Sequence, residues 1–375
     1  MKLAFLAAAN SIHGIRWIKF FADRGHDITW ISLAPPIPEA KELIKKVAFT
    51  EIHPSPLADF GGRFTMRHLP HAIRRIKEIL KGAAPDLLHI HSAGTYGLAG
   101  TLSGFHPTIL TPWGTDILVN RGVKKLLAQY AVRHADYFTC DGYNTRDKLI
   151  EFGANPEKIS LIRFGVEVDK FMKHETRSMK QGKVKIISLR TLIPMYDIET
   201  LIRAAAIVGK NPLAGGVEFV IAGDGEKRPY LENLARTLNL TTSHVVRFAG
   251  RYQPDDLPRM LREADIYVST SLSDSGLSAS TAEAMAAGLP AVVSDSGDNR
   301  EWVEEGKGGF VVPAKDPETL AEKLLFLIQN DAARRAFGAY NQKVIDEKNN
   351  YQKEMAKTEK IYEMVGVQYL HRKTA

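Results

Sequence analysis

Short apolar runs of strand length alternate with longer helix-type segments along this 375-residue chain, and the alternation starts afresh halfway along. The first series has runs at 3–8, 28–32, 87–91 and 108–111, with a helical pattern at 15–23. The second has runs at 183–188, 219–222, 246–248, 266–269 and 291–294, with a helical pattern at 198–208. Strands separated by helices pair in parallel and are covered by helices, so the expected class is α/β with two Rossmann-like, doubly wound parallel sheets. The polar stretch 168–182, with Lys170, Lys173, His174, Glu175, Arg177 and Lys180, reads as the connection. One domain is expected over 1–170 and a second over 171–349, with a last helix over about 350–375 packing back on the first. Open α/β sheets bind ligands beyond the carboxyl ends of their strands. Two facing sheets would put such ends on either side of one cleft, an arrangement suited to a reaction between two substrates.

Composition narrows the class. Hydrophobic residues at 44% and charged residues at 25% supply real cores without a disordered bias. The single cysteine, Cys140, excludes an intramolecular disulfide and argues against a Cys-ligated metal centre. It fits a reducing, cytoplasmic compartment. No apolar run approaches the roughly 18 to 20 residues of a membrane-spanning helix. Residues 1–9 superficially resemble a signal peptide, but the run is at the short limit and reads as a buried first strand.

Charge is uneven. Residues 1–170 carry 22 Lys and Arg against 16 Asp and Glu, which leaves a surplus of only one for the remainder of the total of +7. In the densest stretch, Arg63, Arg67, Arg74, Arg75, Lys77 and Lys81 interleave with Phe64, Met66, Leu69, Ile73, Ile76 and Leu80. This pattern fits a basic amphipathic helix resting on anionic headgroups at the inner face of a membrane, or a solvated helix face. It carries no nucleic-acid motif and no aromatic platform, so nucleic acid is not an expected partner.

The richest stretch for chemistry runs from Ser269 to Pro290 as strand, polar turn, helix and Gly-Leu-Pro stop. A helix beginning near Ser278 or Ala279 would aim its free N–H groups, including that of Ser280, and its positive dipole end at a ligand, so that a diphosphate could be held without a metal. Glu283, one turn inside, suits a vicinal diol such as a nucleotide ribose; a surface or capping carboxylate is the other reading.

The run Glu283-Ala284-Met285-Ala286-Ala287-Gly288-Leu289-Pro290-Ala291-Val292-Val293 resembles the donor-site signature of retaining, nucleotide-sugar-dependent glycosyltransferases of the glycosyltransferase family 4 type, which have the GT-B fold. Arg24-Gly25-His26-Asp27-Ile28, Pro85-Asp86-Leu87-Leu88-His89-Ile90-His91 and the run Gly306 to Pro313 agree in order and spacing. Ala222-Gly223-Asp224-Gly225 and Phe248-Ala249-Gly250-Arg251 are similar to the glycine turns that line the family's nucleotide pocket. The resemblance implies that Gly223, Asp224, Gly225, Gly250 and Arg251 line the base and ribose pocket and that Arg190 neutralises the leaving diphosphate. There are departures. Ser275 stands where the family has its first glutamate, with Asp274 beside it as the candidate for the donor-sugar hydroxyls. Tyr196 stands where the family has a lysine, leaving more of the work to Arg190, the helix N–H groups or Lys227. On the acceptor side Trp113-Gly114-Thr115-Asp116 resembles a His-Gly-Ser-Asp loop with Trp113 at the histidine position. His13 and Arg16, at i and i+3, join Trp113 and Asp116 as acceptor-side candidates.

Other chemistries lack their motifs. There is no G-x-G-x-x-G after the first strand, no G-x-x-x-x-G-K-[ST] and no G-x-S-x-G. No D-x-D pair is present to hold a divalent ion, so metal-independent transfer without a cofactor is expected. His89 and His91, with Asp86 before them, leave a weak metal site conceivable. The expected function is transfer of a sugar from a nucleotide-diphosphate donor to a glycan or lipid-linked acceptor with retained configuration, by front-side substitution. A sugar-nucleotide 2-epimerase of similar fold, a catalytically inactive sugar or nucleotide-binding protein and a peripheral membrane adaptor are the alternatives.

Overall fold

The computed structural model describes residues 1–53, 66–172, 183–214, 216–243 and 245–374. Arg63, Phe64 and most of the expected connection, from Lys173 through Lys180, lie outside the described residues. The chain forms two compact units, residues 1–163 with 355–375, and residues 164–354.

The first unit holds a parallel sheet of β1 (Lys2–Leu6), β2 (Asp27–Ser32), β3 (Ala48–Glu51), β4 (Leu87–His91), β5 (Thr108–Thr111), β6 (Tyr137–Cys140) and β7 (Ile159–Leu161), in the order 3-2-1-4-5-6-7. Because side chains alternate across a strand, one face carries Ala4, Leu6, Leu88, Ile90, Leu110, Phe138 and Cys140 into an aliphatic core. The other face carries Phe5, His89, Thr111 and Thr139. It is roofed by the helix Ile12–Asp23 and the final helix Tyr351–Thr374. Ser11 starts the first of these helices by accepting the Gly14 N–H.

The roof is held by one buried hydroxyl. Tyr362 on the final helix stacks on Phe21, accepts the Trp17 Nε1–H at 2.9 Å and meets His89 Nδ1. His89 Nε2 lies 2.6 Å from Thr111 Oγ1, which in turn meets Thr139. One assignment satisfies every group: Trp17 donates to Tyr362, Tyr362 to a neutral His89, and His89 to Thr111. Glu359, a turn earlier, pairs with Arg24 and His26 at the rim.

The basic stretch turns out differently from a membrane-facing helix. Over Leu69–Ala83 the apolar residues Leu69, Ala72, Ile76 and Leu80 are buried, with Ile73 and Ile79 packed against the same core. Arg74 and Arg75 both pair with Glu78. Among the described residues, the apolar face of this helix is used inside the protein.

The second unit holds β8 (Val184–Ser188), β9 (Val217–Ala222), β10 (Val246–Gly250), β11 (Ile266–Ser269), β12 (Ala291–Ser294) and β13 (Gly309–Val312), parallel in the order 10-9-8-11-12-13. Ile186, Phe219, Ile221, Val268 and Val292 face one core, while Ile187, Val220, Tyr267, Ala291 and Val293 face another. Strands buried on both faces need helices on both, which is the doubly wound arrangement. Residues 164–171 also belong to this unit, because Val166, Val168 and Phe171 pack into its second core.

Tyr362→Phe keeps the ring but strips Trp17 and His89 of their shared partner. Chemical unfolding should show a loss of about 1–3 kcal/mol; an unchanged midpoint would mean that the hydroxyl does not hold the roof.

Candidate active site

In each sheet the strand order reverses between two adjacent strands, β1 and β4 in the first and β8 and β11 in the second. The carboxyl ends at such a reversal splay their loops apart and leave room for a ligand.

In the second unit, Arg190 lies two residues beyond β8 with only 6% of its surface exposed. Its Nη2 donates to Asp274 Oδ1 at 2.5 Å and its Nη1 to Ser280 Oγ at 3.2 Å. Its guanidinium lies over the Tyr196 ring, 4.0 Å from the centroid. Burial opposes the charge, but Asp274 beside it outweighs that cost and holds the pKa above its ordinary value. The Arg190 Nε–H is buried and has no hydrogen-bond partner among the described residues.

The helix Ala279–Ala286 begins beside this cation. Ser278 caps it in an extended conformation, accepting the Thr281 N–H at 3.3 Å. Ser280 Oγ and Thr281 Oγ1 both reach the buried Tyr267 hydroxyl, at 2.9 and 3.3 Å. The Ala279 and Ser280 amides make no hydrogen bond among the described residues, so they carry the positive end of the helix dipole beside a guanidinium. Glu283 is half-buried one turn further in. The Tyr252 hydroxyl is pushed up to about 12 by burial and then by the Glu283 and Tyr267 charges, with Arg190 opposing, so it stays a protonated donor at neutral pH.

The glycine turns seat the Arg190 loop. A Cβ on Gly223, whose φ is +144°, would lie 2.2 Å from the Arg190 carbonyl oxygen, and one on Gly225 would lie 2.4 Å from that of Leu192. Only glycine allows this approach. Backbone bonds from Leu192 N to the Asp224 oxygen, Lys227 N to the Leu192 oxygen and Gly223 N to the Gly250 oxygen complete the contact. Asp224 accepts its neighbour Gly225 N–H and faces Arg228 and Arg251, each at 3.7 Å; Arg251 is largely exposed. The Lys227 ammonium points at the Tyr230 ring on the outside and does not join Arg190. Ser275 sits half-buried in the loop after β11. This loop is tied to the one after β8 by Leu272 N bonding the Met195 oxygen and Thr270 Oγ1 bonding the Tyr196 oxygen. The structure thus brings together Arg190, Asp274, Ser278, Ala279 and Ser280. Asp274 directs an oxygen to Arg190, a partnership that sequence spacing alone does not reveal.

In the first unit, His13 stacks on Trp113 with ring centroids 5.5 Å apart, and Arg16 lies one turn on. Asp116 plays a structural part, since its carboxylate accepts the Ala93 N–H at 2.6 Å and the Trp113 N–H at 2.9 Å, binding the loops after β4 and β5 together. Burial raises its pKa against the pull of those amides. Trp17 and Trp113 enclose His91, which is 3% exposed and whose two ring nitrogens have no hydrogen-bond partner among the described residues. Asp86 lies at the other end of β4, accepting the Lys2 N–H, so it does not complete a metal site with His89 and His91. Among the described residues no group of three His, Cys, Asp or Glu could hold a metal ion. Sequence reasoning misses Tyr252 and Tyr267, for no motif marks an aromatic brought in by another strand, and it misses the stacking of Arg190 on Tyr196 within the loop after β8.

Residues 169–344 match the family described as glycosyl transferases group 1, and residues 2–142 match glycosyl transferase 4-like proteins. The amylovoran biosynthesis glycosyltransferase AmsK of Erwinia amylovora is 30% identical over 288 residues, 73% of this chain and 68% of its own. The UDP-Gal:alpha-D-GlcNAc-diphosphoundecaprenol alpha-1,3-galactosyltransferase of Escherichia coli is 27% identical over 66% of this chain and 67% of its own. An uncharacterized glycosyltransferase of Methanocaldococcus jannaschii, 25% identical over 64% of this chain, is covered over 61% of its own length. Among solved structures, Anabaena HepE in complex with UDP superposes with a TM-score of 0.80 at 17% identity, over 97% of this chain and all of that one. The chain belongs to the group 1, family 4-like glycosyltransferases, and its fold is GT-B.

Burial depresses both strand histidines. His91 is lowered to about 3, by burial and then by His13, and His89 falls well below the ordinary value, by burial and then by His91. A folded-state pKa below the unfolded one means stability is intact above about pH 6.5 and is lost as pH falls toward 3, by up to about 1.4 kcal/mol per pH unit per histidine. Urea unfolding of wild type between pH 7 and pH 4.5 should show that slope, and His91→Leu should remove about half of it; an equal slope in the variant would show that His91 is not the group responsible.

Proposed function

We propose that this chain transfers a sugar from a UDP- or GDP-linked donor to a glycan or lipid-linked acceptor with retained anomeric configuration, without a metal, at the cytoplasmic face of a membrane. One observation carries the reading: a buried guanidinium with an unpartnered N–H stands beside two open helix amides at the switch point of the second sheet. That set of donors has the chemistry of a diphosphate site. HepE, crystallised with UDP and with UDP-glucose, supports a nucleotide-sugar donor, and the galactosyltransferase named for a diphosphoundecaprenol substrate supports a lipid-linked acceptor.

In this reading the diphosphate lies across the Ala279 and Ser280 amides and Arg190. Glu283 binds the ribose diol, and Gly223, Asp224, Gly225, Gly250 and Arg251 border the nucleoside. Asp274 orients the guanidinium and, with Ser275, faces the donor sugar. His13, Arg16 and Trp113 receive the acceptor, with Asp116 holding their loop. As the bond from the anomeric carbon to the diphosphate oxygen breaks, the acceptor hydroxyl adds on the same face and its proton passes to that departing oxygen. Oriented amides and a fixed cation stabilise the separating charge without reorganising.

Calorimetry with UDP, GDP and their sugars, followed by transfer assays, tests the assignment. Arg190→Ala and Glu283→Gln should each lower turnover at least roughly tenfold while the circular dichroism is unchanged. Unaltered kinetics in both would remove the site. Donor binding without transfer to any acceptor would indicate a binding protein instead, and donor turnover without an acceptor would indicate an epimerase.

A further inference from the structure

The helix Val123–His134 in the first unit is built inside out on its solvent side. Its buried face is small and aliphatic, Ala128, Ala131 and Val132. The opposite sector, where a solvated helix carries charge, presents Val123 at 68% exposure, Leu126 at 64% and Tyr130 at 36%, spaced by three and four residues. Val119, 47% exposed at the end of the short helix Thr115–Leu118, extends the same stripe. Arg121, Lys124, Lys125 and Arg133 flank it, and no acidic residue occurs between Asp116 and Asp136. Lys125 reaches Glu151 at 3.4 Å from a partly exposed position.

We infer that this stripe is the protein's docking surface for an anionic phospholipid bilayer. A cluster of exposed apolar side chains rimmed by cations, with no carboxylate on its own segment, matches the boundary between acyl chains and acidic headgroups. A protein partner would need acidic residues placed one by one, whereas a bilayer supplies continuous negative charge and an apolar layer beneath it. The helix is too short and too polar to span; among the described residues no helix is long and apolar enough to cross a membrane. It lies in the interface. The surface is continuous with the candidate acceptor loop, because Trp113 and Asp116 lead directly through Thr115–Leu118 into Val119. The inference rests on the lipid-linked acceptor proposed above and gives it a route: the anchored helix holds that loop at the plane where a lipid-borne glycan emerges.

Flotation of the full chain with vesicles tests this. Wild type should partition at least roughly tenfold better onto phosphatidylcholine vesicles containing about a quarter phosphatidylglycerol than onto phosphatidylcholine alone, and should release at high salt. The surface triple substitution Val123→Ser, Leu126→Ser, Tyr130→Ser should lose most of that binding, while Arg74→Gln, Arg75→Gln, Lys77→Gln on the other basic helix should keep most of it. Calorimetry of the first variant with nucleotide sugars, without vesicles, should match wild type; this separates failure of the surface from failure of the donor site. Three outcomes overturn the inference: no flotation of wild type, equal flotation of the Ser variant, or a wild-type dimer that the Ser variant converts to monomer.

Discussion

The second unit is organised around one buried positive charge. A guanidinium taken out of water without a partner costs about 3–5 kcal/mol when its ion pair is cut, and the neighbours of Arg190 are arranged to meet that cost. Asp274 supplies the counter-charge, Ser280 an acceptor and Tyr196 an electron-rich face. The glycines at 223 and 225 supply no side chain at all, which is what lets the Arg190 loop settle against the next strand end. Each element matters because the cation is buried; on the surface the same residues would be interchangeable. Among the described residues, the Nε of Arg190 and the Ala279 and Ser280 amides are left without hydrogen-bond partners.

The first unit meets an analogous demand with neutral groups. β4 carries two histidines into a face that excludes water, and the final helix returns across the chain to satisfy one of them through Tyr362. The other, His91, is wrapped by indoles and left without a hydrogen bond among the described residues. Low-dielectric packing keeps both neutral. Burial of imidazoles under aromatic rings makes this face rigid at neutral pH and sensitive to acid. In the second unit, by contrast, stability at the site rests on a charge pair.

How much of this was legible in the sequence depended on whether the signal was local. The strands at 108–111, 266–269 and 291–294 were readable to the residue, since buried parallel strands are uninterrupted apolar runs. Ala48–Glu51, Tyr137–Cys140 and Ile159–Leu161 were not, being three or four residues long with mixed composition and taking their strand character from a neighbour. The helix start near Ser278 and the place of Glu283 one turn inside it followed from the local strand, turn and helix pattern. The contact of Asp274 with Arg190 joins residues 84 apart, and the Glu283 charge acts on Tyr252, which lies beyond another strand end. Asp116 was marked by the resemblance of its loop, but nothing in that loop's sequence announces that its carboxylate accepts the Ala93 and Trp113 amides.

The two basic helices differ in what their apolar residues do. Both Leu69–Ala83 and Val123–His134 mix cations with apolar residues, and the first has the denser run of arginines and lysines. In the first, a regular apolar stripe is the signature of a helix that faces its own core, and the structure spends that stripe on Leu88, Ile90 and their neighbours. In the second, alanines and a valine suffice for the core contact, so the larger apolar side chains are surplus to folding. Val119, Val123 and Leu126, 47–68% exposed, forgo part of the roughly 1.5–3 kcal/mol that full burial of such a side chain gives, and that is the energy the proposed bilayer contact would recover.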